Sequence, residues 1–256
     1  MTSKLLTIAH YTLLEAARNK LLRLALFILA IGLAITLFLK QVAITETREF
    51  QLTFLAILYR LAAVFVLAAF VIVSQVREAN DKVMELMLSR DLPRSSYLFG
   101  KLLGYLGVAL VLAFIFALPQ AFFADLPRAS LWGLSLFLEL AIVAALSLFC
   151  VLTLNQVVSS LGAVLGCYAL SRSMAALQLI GASQASEGGG VLSRIADYAL
   201  SGIAFFLPRL DLFTHTGWLL RRDTYVPDVP WLIVQCVVYT VLLSLAALFD
   251  LRRRNF

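Results

Sequence analysis

LLGYLGVALVLAFIFALPQAFF, residues 102–123, and LWGLSLFLELAIVAALSLFCVLT, residues 131–153, are apolar runs of 22 and 23 residues carrying one charged side chain, Glu139. At 1.5 Å per residue a helical run of this length covers roughly 33 Å, enough to cross the ~30 Å hydrocarbon core of a bilayer. Four more segments are comparable, so the spacing predicts six spans: Leu24–Ile44, Phe54–Ser74, Leu102–Phe123, Leu131–Thr153, Ser159–Gly181 and Trp231–Phe249. The composition agrees. Hydrophobic residues make up 62% of the 256 and charged residues 14%, with a mean hydropathy of +0.93. A soluble domain is nearer half apolar and a quarter charged. The chain reads as one all-α integral membrane domain over residues 1–256, which excludes a disordered, collagen-like or disulfide-stapled secreted protein.

The net charge of +6 belongs to the membrane topology, and no nucleic-acid partner is expected because no separate polar domain exists to carry a binding face. An even number of spans puts both termini on one side. Lys4, Arg18, Lys20 and Arg23, then Arg77, Lys82, Arg90, Arg94 and Lys101, then Arg252, Arg253 and Arg254 give that side twelve basic residues. The short opposite loops and adjoining span ends hold Lys40, Arg48 and Arg128. The positive-inside rule places both termini in the cytoplasm. No h-region followed by a small-residue cleavage site appears, so no removed signal peptide is expected.

Lys4, Thr7, Tyr11, Glu15 and Arg18 stack on one helical face, with Leu5, Ile8, Ala9, Leu13, Ala16 and Ala17 on the other. That pattern predicts an amphipathic interfacial helix over 4–20, with a frayed tail as the alternative. The 27-residue loop 75–101 carries Val76, Ala79, Val83, Leu86 and Met87 as an apolar stripe against Arg77, Glu78, Asp81, Lys82 and Glu85. Its five basic and four acidic residues nearly cancel, so it is not a plain polybasic lipid anchor. The stripe must pack either on the chain's own span ends or in a groove of a cytoplasmic partner. Pro93 breaks the chain, and Ser95-Ser96 is the expected start of the next helix.

Loop 182–230 holds the run Ser186-Glu187-Gly188-Gly189-Gly190 and then VLSRIADYALSGIAFFLP, too short and too charged to span comfortably. It reads as short interfacial or re-entrant helices on the external side, with Arg194 and Asp197 paired at i,i+3. In span five, Gly162 and Gly166 form a small-xxx-small motif, serving either an intramolecular contact or a dimer seam.

Arg60, Glu139 and Arg172 lie inside spans, roughly 9, 12 and 13 Å from the external ends. Each costs at least ~2–3 kcal/mol against lipid and so must face protein or water. One expectation is a Glu139–Arg172 ion pair that fixes packing, with Arg60 snorkelling outward. The other is a net-positive lining of an outward cavity suited to an anionic head group.

No enzyme is expected. The chain has no GxxxxGK[ST] phosphate loop, no HExxH and no Gly-x-Ser-x-Gly elbow. Cys150, Cys167 and Cys236 lack CxxC spacing, and His10 and His215 make no His-rich site, so no metal is expected.

The stretches LLEAARNKLLRL (13–24), REANDKVMELMLSRDLPRSSYLFGKLLG (77–104), FFLPRLDLF (205–213) and FDLRRRNF (249–256) together resemble the permease subunits of ATP-binding-cassette (ABC) transporters of the type-2, exporter-like family. The match rests on Arg77-Glu78, Glu85-Leu86, Leu88-Ser89-Arg90, Pro93-Arg94 and Gly100-Lys101 in that order. It departs at Lys82-Val83, where the family has Gly-Thr. The resemblance implies that the loop is a coupling helix seated on a separate ATPase subunit. Arg77, Glu78, Val83, Glu85, Leu86, Met87, Arg90 and Arg94 would be its contacts. It implies ATP and Mg bound by that partner and none here, a homodimer with spans one and five at the seam, and a bacterial inner membrane. The implied function is ATP-driven export of an unidentified substrate. Alternatives are transmission of ATP-driven motion to a periplasmic or membrane partner, and an ATPase-independent transporter or channel.

Overall fold

The computed structural model describes residues 2–42, 47–81, 93–186, 202, 207–214 and 229–253. Its helices are α1 (Thr2–Arg18), α2 (Leu21–Val42), α3 (Thr47–Asn80), α4 (Arg94–Phe123), α5 (Leu126–Leu154), α6 (Val157–Ser186) and α7 (Val229–Arg253), with a 3-10 turn at Leu210–Thr214. The six from α2 to α7 are each long and apolar enough to cross a membrane, and no strand occurs among the described residues. This fits a multi-pass membrane protein. Val83, Glu85, Leu86, Met87 and Arg90 of the expected coupling helix lie outside the described residues, as do most of the external loop and its Arg194 and Asp197.

The helices outrun the apolar limits read from sequence. α3 starts seven residues before Phe54 and ends six after Ser74, because hydropathy marks where the hydrocarbon stops and not where helical hydrogen bonding stops. α4 begins at Arg94, directly after an extended Pro93 (φ −63°, ψ 136°), with no side-chain cap. The expected start at Ser95-Ser96 is therefore displaced. Pro93 bars the helix from extending backwards and its fixed φ suits a helix start without a capping hydroxyl.

α5 is the central helix. Of its apolar window 78% is buried, against 61% for α3, 50% for α4 and 22–28% for α2, α6 and α7. Leu136, Leu140, Ala144 and Leu148, each at most 1% exposed, run at i+4 down its interior face. α5 ends at Asn155 in the left-handed conformation (φ 56°), whose N–H donates to the Val151 carbonyl, and α6 starts two residues later.

α1 docks on α4 and is no frayed tail. Ile8, Ala9, Thr12 and Ala16 are buried while Tyr11 and Arg18 are exposed. The contact is made by Gly100, Gly104 and Gly107, where an added Cβ would fall 3.0 Å from Ile8, 2.5 Å from Thr12 and 3.0 Å from Leu13. Lipid tails are as apolar as leucine, so close backbone approach and its van der Waals contacts supply the association. A second such approach sets α2 on α3, where the Tyr59 ring covers Gly32 and its hydroxyl donates to the Leu29 carbonyl at 2.9 Å.

Candidate functional site: two buried polar networks

The first network lies between α3, α5, α6 and the 3-10 turn. Arg60, 2% exposed, pairs with Glu139, which is fully buried. Its Nη1 also donates to the Phe213 carbonyl at 2.9 Å and its Nη2 to the Ser135 hydroxyl at 2.9 Å. The guanidinium carbon lies 5.3 Å from the Trp132 ring centre, within cation–π range. On the other side of Glu139, the Tyr168 hydroxyl donates to Oε1 at 2.8 Å and accepts from Arg172 Nη1 at 2.9 Å.

This revises the expected pairing. Glu139 pairs with Arg60, which does not snorkel, and Arg172 reaches Glu139 only through Tyr168. Geometry explains the exchange. Arg60 sits in the middle of the well-buried α3, facing α5, whereas α6 carries Arg172 on a helix that packs loosely and leaves it half-buried. The three charges do share one level, and together they leave one positive charge at the network's edge. The expectation of a cavity lining is not matched by Arg60 and Glu139, which are sealed in the helix core. Sequence reading missed Ser135, Trp132, Tyr168 and Phe213. Ser135 and Tyr168 are each four residues from a charged partner on their own helix, and Trp132 is seven from Glu139, so all three share a face with the charges.

The second network lies at the end of the bundle that carries the described parts of both termini. Lys101, at the start of α4, pairs with Glu78 at the end of α3 and stands 3.9 Å from Glu15 of α1. Ser74 donates to both Glu15 oxygens at 2.8 and 3.0 Å, and Tyr97 donates to Glu78 at 2.8 Å. Gln75 donates to the Tyr105 hydroxyl at 2.8 Å and accepts from the Tyr97 hydroxyl at 3.4 Å, which extends the network along α3 and α4. One buried cation thus ties three helices together where α3 ends and α4 begins. Arg94 extends the tie to α7, where Nη1 donates to the carbonyls of Leu251 and Arg252 at 3.0 and 2.9 Å and so satisfies the end of that helix.

Among the expected coupling residues, Arg77 is exposed, but Glu78 turns inward and spends its carboxylate on Lys101 and Tyr97. Lys101→Met is expected to lower the stability of the detergent-solubilised protein by about 2–3 kcal/mol, since it strands two carboxylates on one partly buried site. Thermal unfolding followed by size exclusion reads this, and an unchanged midpoint would refute the tie.

Gly162 and Gly166 make no close helix contact among the described residues. Both are exposed on α6, and a Cβ added at either meets nothing within 4 Å. Among the described residues, the glycines that bring helices together are Gly32, Gly100, Gly104, Gly107 and Gly133, the last against Ala117 of α4. Among the described residues no group of His, Cys, Asp or Glu is placed to hold a metal. Neither the models of known protein families nor the curated proteins contain a match to this chain.

Proposed function

We propose that this chain is the membrane-spanning subunit of an ATP-driven ABC transporter of the exporter-like type, working as a homodimer with a separate ATPase subunit that binds ATP and Mg. Both termini then lie in the cytoplasm, in a bacterial inner membrane, as the charge distribution favours. The observation that carries the reading is the Lys101 network. The stretch with the family resemblance, 77–104, leaves α3 beside Glu78 and returns into α4 beside Tyr97 and Lys101, and these residues are bonded to one another and to α1. A push on the intervening loop is therefore delivered to three helices as one body. Closure of two ATPase subunits on ATP shifts the subunit between conformations through their differential contact with that loop, and hydrolysis resets it.

In this reading Glu78 holds the base of the loop. Contact with the ATPase falls to Val83, Leu86 and Met87 as apolar anchors, with Glu85 and Arg90 beside them and Arg77 at the rim. The test is affinity purification of the tagged chain from its native membrane in mild detergent. The expected companion is a stoichiometric protein carrying a phosphate loop, lost on Leu86→Glu with Met87→Glu. An oligomer recovered repeatedly without any nucleotide-binding partner would overturn the proposal in favour of an ATPase-independent transporter.

One observation favours transmission of motion over passage of a substrate. Arg60 and Glu139 are buried against Ser135, Trp132 and the 3-10 turn, and Arg60 holds that turn through the Phe213 carbonyl. The buried charges thus grip a segment on the far side, where a periplasmic partner would dock.

The homodimer proposal has its own test. Gly166→Leu is expected to leave the fold of the single chain within ~0.5 kcal/mol, as an exposed site with free space around it should. The same change is expected to abolish self-association read by cross-linking. Full dimer yield would remove α6 from the seam.

A further inference from the structure

At the turn from α1 to α2 an open cavity of about 430 Å³ is lined by Tyr11, Leu14, Glu15, Arg18, Asn19 and Arg77. Two arginines from different helices thus meet around one space, Arg18 ending α1 and Arg77 closing the last turn of α3. Both are exposed, and among the described residues neither is paired with a carboxylate. Glu15 also lines the space, but its oxygens accept from Ser74 and lie toward Lys101, and with one carboxylate against two guanidinium groups the lining stays net positive. Lys20 and Arg23, also exposed, extend the positive rim along the turn. Immediately beyond, the first turns of α2 show apolar side chains on the surface, Leu24 at 45%, Leu26 at 55% and Phe27 at 63% exposed.

We infer that this cavity binds the phosphate-bearing head group of an anionic lipid, with Arg18 and Arg77 on the phosphate and the acyl chains lying along α2. Guanidinium groups bind phosphate oxygens in pairs and keep their charge at any physiological pH. A basic recess between helices at the membrane edge, with juxtamembrane cations beside it, is the setting in which acidic phospholipids are retained. The cavity is far larger than a phosphate ion requires and falls in the range that holds ligands of tens of atoms. The exposed apolar residues five to eight positions on from Asn19 offer acyl chains a surface that a soluble anion does not need. The Asn19 side-chain amide lines the same space and supplies donors for a glycerol or phosphate oxygen. Such a lipid would wedge between α1 and α3 beside the Glu15–Lys101 contact, and so load the helix tie described above.

The inference is independent of the ATPase reading. The full chain is reconstituted in phosphatidylcholine nanodiscs containing a minor fraction of phosphatidylglycerol, re-extracted, and its retained lipid counted by native mass spectrometry. The wild-type chain is expected to retain phosphatidylglycerol selectively, with Arg18→Gln/Arg77→Gln lowering that enrichment roughly tenfold or more. Arg128→Gln, at the opposite end of the bundle, is expected to leave it unchanged, as is the thermal midpoint of the double variant. Equal retention in the double variant would overturn the site. Millimolar inorganic phosphate displacing the lipid completely, or binding equally well in pure phosphatidylcholine discs, would make it a small-anion site instead. Undiminished lipid with loss of a co-purifying protein would make it a protein-docking surface.

Discussion

Glu139→Leu is expected to destabilise the protein by about 3–5 kcal/mol, the cost of leaving one member of a buried ion pair without the other. Arg60 stays 2% exposed in the core, and its remaining partners, the Ser135 hydroxyl and the Phe213 carbonyl, carry no charge. The substitution also takes away the acceptor of Tyr168, and with it the anchor through which Arg172 is held. The converse change, Arg60→Met, is expected to cost less. A carboxyl group can take up a proton and remain buried as a neutral acid, whereas a guanidinium cannot shed its charge. The double variant Arg60→Met/Glu139→Leu should recover most of the loss, because well-packed apolar residues often replace a buried pair without penalty. What it should not recover is the hold on the 3-10 turn, which depends on Arg60 donating to Phe213. Thermal midpoints in one detergent give the order wild type, double variant, Arg60→Met, Glu139→Leu. A Glu139→Leu protein as stable as the double variant would mean that the pair is not sealed from solvent.

Much of this arrangement is legible in the sequence, and the reasons for the rest are physical. Spans announce themselves because crossing hydrocarbon demands about 20 apolar residues with every backbone group bonded within the helix. The level of Arg60, Glu139 and Arg172 follows from counting residues inward from span ends. Which of them pair does not, because pairing depends on how the helices are rotated about their axes. The sequence periodicity of helices buried nearly all round contains little of that rotation. α5 illustrates the point, being apolar almost all round its span with Glu139 the one charge there. Glycine meaning is likewise tertiary. Gly162 and Gly166 show the textual motif yet face outward, while Gly100, Gly104 and Gly107 make the contact through a spacing of four and three that sits beside the noticed loop. The amphipathic face of α1 was readable, but its buried Thr12 was not, since a hydroxyl bonded back to the Ile8 carbonyl packs as an apolar group would.

Gly104→Val is expected to lift α1 from α4. An ideal Cβ at residue 104 would fall 2.5 Å from Thr12 Cβ, 2.9 Å from its Cγ2 and 3.0 Å from its Oγ1. Carbon atoms in contact sit ~3.5–4.0 Å apart, so the helices must separate by about an ångström even before the valine methyl groups are placed. Thr12 cannot turn aside, because the nearest atom is its own Cβ, fixed to the backbone, and it is 1% exposed. Overpacking of this kind costs about 1–3 kcal/mol where the structure stays closed. Separation is the cheaper outcome here, since α1 is held only along one face. Parting the helices moves Glu15 away from Lys101 and Ser74, so the tie among α1, α3 and α4 loses one of its three members. The disturbance should therefore register as faster proteolysis after Arg18 and as weaker recovery of any partner bound through loop 82–92, in addition to a lower thermal midpoint. A graded series separates this mechanism from a general effect of substituting glycine in a helix. Alanine at Gly104 should cost most and at Gly100 less, where Ile8 Cβ stands at 3.0 Å. Gly107 should cost less still, because the Leu13 tip at 3.0 Å can rotate away, and Gly166, with nothing within 4 Å, should gain from the higher helix propensity of alanine. Equal effects at Gly104 and Gly166 would show that α1 does not rest on this face of α4.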